Sequence, residues 1–416
     1  MHPKQWLRLH TWAGMVLGSL LLLVCLSGTL ATLSFEIEYL LDKKHRALAP
    51  RQGQTDFAAL QRSLEQQYPG SQVKSVYLHP ADYLAGEVWL TTTDEPFRYI
   101  YFDANTGQLL GEGGWGRVRR FLRNLHMNLS LGNGGKWLVT GLSLLLLISL
   151  VSSFSVYQKW WRQFLRKPRS LKLWQRGSWS DWHKLVGVWG WWFSALIMLT
   201  GLWYLAEKVL QTATVAHYPT APAVIALETD QRPGLGAIAS IARQALPGLD
   251  VTTIQYPARG DQAIRVYGQR GDLLVRDRAS RVYLHPASGE VLQVQTAADL
   301  SLLSRIVDTA DPLHFGNFAG LGVKLLWALG GLALSFMVAA GLWMSWLRVR
   351  RKRPTVRRWL GTSGSFALIL SLLAIVLTCL TFQQGPEKAP LYSPVLATSP
   401  PAAMPSLMPR PEQPEA

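Results

Sequence analysis

Cysteine is nearly absent from this chain: two in 416 residues, Cys25 and Cys379, each inside an apolar run. That excludes an external disulfide framework and any thiolate metal cluster. No G-x-G-x-x-G occurs, so the chain carries no dinucleotide fingerprint. Acidic residues are scarce where basic ones crowd. Lys159, Arg162, Arg166, Lys167, Arg169, Lys172 and Arg176 share their stretch with Asp181 alone. Arg348, Arg350, Arg351, Lys352, Arg353, Arg357 and Arg358 have no acidic neighbour. Both clusters abut apolar runs, so the net charge of +16 reports membrane topology and not a nucleic-acid partner.

Long apolar runs are what the sequence does have. Five, at 12–34, 137–157, 185–206, 323–347 and 361–382, are long enough to cross about 30 Å of hydrocarbon at about 1.5 Å per residue. The first exceeds the apolar core of about 7–15 residues of a signal peptide, and no A-x-A site follows it. No span shows a charged centre or a clear break. The excess of Lys and Arg places the N-terminus and both basic linkers on the cytoplasmic side of the membrane. Segments 36–117 and 207–313, with 11 acidic residues each, then lie outside. The expected order is span (1–35), external domain (36–117), interfacial segment and span (118–160), and basic loop (161–182). A span (183–206), a second external domain (207–297), a second interfacial segment and span (298–347) and a second basic loop (348–360) follow. A fifth span (361–382) and a Pro-rich disordered periplasmic tail (383–416) end the chain. The tryptophans at 160, 161, 174, 179, 182, 189, 191 and 192 read as an interfacial belt.

The chain is also written twice. His10 is followed after 4 and 18 residues by Gly14 and Gly28, as His183 is by Gly187 and Gly201. "AALQRSLEQQYPGSQVKSVYLHP" parallels "GAIASIARQALPGLDVTTIQYP", "YFDANTGQLLGE" parallels "YLHPASGEVLQV", and "LHMNLSLGNGGKW" parallels "LHFGNFAGLGVKL". The offsets, 173, 178, 182 and 188, rise in chain order. Such a duplication relates two like-oriented halves by a pseudo-twofold axis along the membrane normal. Each external domain reads as one helix (57–67; 235–245) followed by alternating strands closed by Asn-Thr-Gly or Ala-Ser-Gly turns. The fold class is therefore an α-helical integral membrane protein of five internally duplicated transmembrane helices with two small α+β external domains.

Symmetry sorts four histidines into two layers. His10 and His183 open two spans on the cytoplasmic side, and His126 and His314 precede two others on the outer side. Equivalent residues face each other across the axis, and two facing imidazoles suit a six-coordinate haem iron. Structural zinc would ask for four ligands. No C-x-x-C-H occurs, so each of two haems would be a non-covalent, bis-histidine b haem. Gly14, Gly18, Gly187 and Gly190 allow close helix approach, and Arg8, Lys184, Arg119, Arg120 or Arg123 can meet propionates. The competing reading makes each histidine an ordinary amphipathic interfacial residue, and the equivalent pairing argues against it. Met127 is an alternative axial ligand. His79 and His285, both in "LHPA", read as strand-end or turn residues, and Asp311 and Asp308 as groups that orient the segment carrying His314.

"LRLHTWAGMVLGSLLLLVCLSGTL", "YFDANTGQLLGE", "NLHMNLSLGNGGKWLVTGLSLLLL", "WHKLVGVWGWWFSALIMLTGLWY" and "DPLHFGNFAGLGVKLLWALGGLALSFMVAAGLWMSWLRVRRK" together resemble the PepSY-associated transmembrane proteins, also called PiuB-like iron-regulated membrane proteins. The resemblance covers residues 1–350. It implies that the external units are PepSY domains and that His10, His126, His183 and His314 ligate two b haems. It further implies that electrons pass outward to a ferric siderophore, making the chain an oxidoreductase of iron transport. The chain has no flavin or nicotinamide domain of the kind some relatives carry, so the donor is a separate cytoplasmic reductase or a quinol. Two other readings stand beside this one: a non-redox membrane-anchored PepSY module for peptide binding or protease regulation, and a siderophore transporter.

Overall fold

The computed structural model describes residues 2–384 except 92–97, 163, 166, 171, 173, 226–231 and 258. Arg166 and nearly all of the Pro-rich tail lie outside the described residues. The chain opens with α1 (Pro3–Val16) and α2 (Gly18–Thr32), apolar enough together to span a membrane but bent by 67°. The unbroken first span expected from the sequence is corrected here. Leu17, between the helices, has φ −132° and ψ 30°. A side chain at Gly18 would stand 2.8 Å from Leu342, so the bend is packed against its surroundings.

A short helix, α3 (Ser34–Leu41), leads out to the sheet domain, where α4 (Phe57–Gln67) precedes β1 (Gln72–Tyr77), β2 (Gly86–Thr91), β3 (Arg98–Phe102) and β4 (Leu109–Gly113). The chain returns through α5 (Val118–Asn128), α6 (Gly132–Val156) and α7 (Arg176–Thr212). The same sequence of elements then recurs: α8 (Leu235–Ala245), β5 (Asp250–Gln255), β6 (Ile264–Gln269), β7 (Ser280–Leu284), β8 (Val291–Gln295), α9 (Leu302–Phe315) and α10 (Gly320–Val349). Last comes α11 (Val356–Thr381). Among the described residues four helices (α6, α7, α10 and α11) are long and apolar enough to cross a membrane, or five crossings if the bent pair is one.

The two external units are not separate domains with a sheet each, as the sequence suggested. Their strands form one antiparallel sheet in the order β4-β3-β2-β1-β5-β6-β7-β8. β1 and β5 meet through Ser75 opposite Gln255, Val76 opposite Ile254 and Tyr77 opposite Thr253. Each strand alternates, so every second side chain faces one side. Val76, Val88, Ile100, Ile254, Val266 and Val282 share one core with Phe57, Leu60 and Leu64 of α4 and Leu235, Ile238 and Ala242 of α8. Neither half could bury the inner edge of its first strand alone, since an unpaired edge leaves N–H and C=O groups exposed. The opposite face presents Tyr77, Glu87, Trp89, Tyr99 and Tyr101.

The Asn-Thr-Gly turn is shaped by Asp103, whose Oδ1 accepts from Asn105 N at 3.1 Å and Thr106 N at 3.0 Å. Gly107 closes it at φ +71°, with its missing side chain directed at Leu60 N, 2.5 Å from where a Cβ would be. Gly53 shares the left-handed backbone (φ +66°) but faces open space. Alanine at either position costs about 1–2 kcal/mol from backbone strain alone. Gly107→Ala adds a collision with α4, so thermal unfolding should show it clearly more destabilised than Gly53→Ala. Equal shifts would contradict the packing of this turn on α4.

Candidate functional site: two facing histidine pairs

On the side of the basic loops, His10 of α1 and His183 of α7 face each other with ring centroids 6.2 Å apart and planes at 79°. The bend at Leu17 lays α1 against α6, where His10 Nδ1 sits 3.0 Å from Ser149 O and 3.1 Å from Ser152 Oγ. A carbonyl only accepts, so Nδ1 carries the proton. Ser152 spends its own proton on Ile148 O at 2.6 Å. His183 Nδ1 is buried without a hydrogen-bond partner among the described residues. One turn beyond each histidine lies a glycine. A Cβ on Gly14 would meet nothing within 4 Å, and one on Gly187 only Met337 Sδ at 3.4 Å.

On the sheet side, His126 of α5 and His314 of α9 face each other at 6.0 Å with planes at 37°. His126 Nδ1 donates to Val24 O at 2.9 Å. It fits only because residue 28 is glycine, where a Cβ would lie 2.6 Å from the imidazole. His314 Nδ1 meets Thr200 Oγ1 at 2.8 Å. Tyr204 packs its ring edge-on at 5.1 Å from His314 and donates its hydroxyl to Asp311 Oδ1 at 2.8 Å.

Two imidazoles that ligate one metal from opposite sides through bonds of about 2.0–2.1 Å have centroids roughly 6 Å apart. Both pairs match that spacing, and among the described residues no hydrogen bond reaches Nε2 of any of the four. A hydrogen-bonded Nδ1 and a bare Nε2, as in His10, His126 and His314, is the arrangement of a metal-ligating histidine. The described residues hold no group of three His, Cys, Asp or Glu placed for a metal. Two ligands per layer therefore fit a metal that brings its equatorial donors with it, as a haem does. The flank left open at Gly14 suits a macrocycle edge.

Met127, the alternative ligand, is turned away: its Sδ accepts from Arg123 Nε at 3.1 Å. His285 caps a turn, its Nδ1 accepting from Ala287 N and Ser288 N at 3.2 Å each. His79 is buried against Glu87 at 3.4 Å. Burial opposes ionisation of Glu87, but Arg119, His79 and Arg117 outweigh it and hold the carboxyl well below its usual range. Arg117 reaches Glu87 at 2.7 Å and Arg119 at 3.1 Å, which fastens the start of α5 to β2. Of the outer propionate candidates, Arg119 is thus committed, whereas Arg120, over the Trp115 ring at 4.2 Å, and Arg123, bonded to Met127, pair with no carboxylate among the described residues. On the other half, Arg276 pairs with Asp311 at 2.7 Å, and Tyr218 donates to Asp308 at 3.0 Å. Asp308 and Asp311 therefore orient α9. Thr200, Ser149, Ser152, Tyr204 and Glu87 were not singled out in the sequence. The one signal was positional: Ser27 and Thr200 each stand just before a repeat-equivalent glycine, Gly28 and Gly201.

Asp277 lies in the same region between sheet and helices. Burial pushes its carboxyl up to about 6, against relief from Lys324 and Arg278. The fold thus favours the neutral acid, and this contribution to stability, present below the ordinary carboxyl range, is lost as pH rises through about 6. Asp277→Asn should match wild type near pH 4 and unfold at higher temperature above pH 7, in melts followed across that range. A variant less stable than wild type at high pH would contradict the burial.

The sequence profile of the PepSY-associated TM region family matches residues 7–348. The chain is also 29% identical over 263 residues to "Uncharacterized protein PA4219" of Pseudomonas aeruginosa, across 57% of this chain. The match spans 65% of that relative's length. With the family profile running through both histidine pairs and the whole sheet domain, the chain belongs to the PepSY-associated TM family.

Proposed function

We propose that this protein is a di-haem b reductase of a bacterial inner membrane that passes electrons outward and reduces a ferric siderophore in the periplasm. The observation that carries the reading is the geometry of the two pairs: ring centroids at 6.2 and 6.0 Å, one pair toward the basic loops and the other toward the sheet domain. Within the family the sequence resembles the siderophore reductase FoxB. In this reading the basic loops are cytoplasmic and the sheet domain periplasmic.

Haem supplies one-electron Fe(III)/Fe(II) chemistry when bound. His10 and His183 would hold one group near the cytoplasm, and His126 and His314 a second beneath the sheet. Nδ1 hydrogen bonds to the Ser149 and Val24 carbonyls keep His10 and His126 in the tautomer whose Nε2 is free, and the Thr200 hydroxyl stands 2.8 Å from His314 Nδ1. Two imidazoles would serve as the axial ligands of each group, and the chain itself would supply neither acid nor base to the reduction of a docked chelate. One electron added to the chelated Fe(III) gives Fe(II), which binds hard oxygen donors less tightly and leaves the siderophore intact. A quinol or a separate cytoplasmic reductase is the donor.

The transporter reading gains one feature, the bend between α1 and α2. A side chain placed at Gly18 beside that bend would meet Leu342, and the transporter reading gives no role to either histidine pair. The PepSY-module reading is favoured by a cleft of about 530 Å³ between the halves, lined in part by Tyr68, Pro69, Pro233 and Tyr256. It gives no role to either histidine pair.

The test is a single-turnover reaction: protein reduced under anaerobic conditions, mixed with a ferric hydroxamate chelate and a ferrous trap. Wild type should reoxidise with one Fe(II) trapped per electron. His314→Ala should stop chelate reduction while the site of His10 and His183 still takes up an electron. Reduced wild type that is inert to every ferric chelate would overturn the reading.

A further inference from the structure

The two outer histidines are held by different chemistry. His126 donates to a main-chain carbonyl, Val24 O, whereas His314 meets a side chain, Thr200 Oγ1. Ser27, the repeat equivalent of Thr200, turns its hydroxyl back onto Val24 O at 3.1 Å and touches no histidine. Thr200 has a single hydroxyl proton, and it goes to Leu196 O at 2.9 Å and Ile197 O at 3.2 Å within α7. What remains facing His314 is a lone pair. With the hydroxyl proton directed at those two carbonyls, His314 donates from Nδ1 into the remaining lone pair at 2.8 Å, the arrangement that leaves Nε2 unprotonated. Among the described residues Thr200 is the only side chain that hydrogen-bonds an imidazole of the outer pair.

We propose that Thr200 is a positioning residue of the outer site: its hydroxyl fixes the His314 tautomer and aims Nε2 at the point shared with His126. Its consequence for a bound iron rests on the haem reading, but the tautomer does not. Donation from Nδ1 to Thr200 makes the imidazole a stronger electron donor, which would favour the oxidised form of a haem held there. Removing the acceptor weakens the donor and raises the outer potential. Valine keeps the shape of threonine and removes only the hydroxyl.

The experiment uses the full-length protein in lipid nanodiscs as wild type, Thr200→Val and Thr200→Ser. Redox titration is followed by absorbance and by the low-spin paramagnetic signals, and the imidazole tautomer is read by ¹⁵N resonance of labelled histidine. In Thr200→Val one of two redox transitions should move to higher potential with an altered low-spin signal, the other serving as internal control. Thr200→Ser should match wild type. Unchanged transitions and signals in Thr200→Val, with both haems in place, would overturn the proposal. So would a Thr200→Ser shift as large as that of Thr200→Val, which would assign the effect to the methyl group. A haem-free wild type would end the reductase reading alone. The nitrogen resonances would then decide: Nδ1–H in wild type and Thr200→Ser with a mixture in Thr200→Val supports Thr200, and a mixture already in wild type overturns it.

Discussion

A buried imidazole N–H needs an acceptor, and in this protein the acceptors decide which helices meet. His10 ties α1 to α6 through Ser149, His126 ties α5 to α2 through Val24, and His314 ties α9 to α7 through Thr200. Each contact joins helices far apart in sequence, and each leaves the second ring nitrogen for its partner across the pair. An unmade bond of this kind, buried, costs about 1–3 kcal/mol. The small residues follow from the same requirement. Gly28 makes room for the His126 ring, and the residues about Leu17 let α1 turn away from α2 until His10 reaches α6.

A second layer of charge holds the sheet domain over the outer pair. Glu87 of β2 grips Arg117 and Arg119 at the start of α5, two turns before His126. Arg276 grips Asp311, three residues before His314. Lys324, at the top of α10, reaches Glu36 of α3 at 2.6 Å. Breaking a buried pair leaves an uncompensated charge and costs about 3–5 kcal/mol. The sheet, the interfacial helices and the outer histidines are thereby tied into one mechanical unit.

The pairing of histidines was legible because it needed only chain-order equivalence and the alternation of apolar spans. The helices at 57–67 and 235–245 were legible from their apolar period and their Pro-Gly stops. Three features were not. A strand such as β1 alternates in the same way whether its edge is free or paired with β5, so one eight-stranded sheet looked like two small ones. The bend at Leu17 lies in an apolar run without proline, where composition favours an unbroken helix. Glu87 and Thr200 read locally as a strand carboxylate and a span hydroxyl. Their roles depend on Arg117 and on His314, 30 and 114 residues away in sequence.

Whether each facing pair holds one iron, as proposed, is decided by the haem content of the purified protein. Purified, haem-replete protein should contain two haems b per chain, both low-spin in the oxidised and reduced absorbance spectra. Protein that is colourless, or that holds a single haem lost equally in His10→Ala and His314→Ala, would contradict two independent bis-histidine sites.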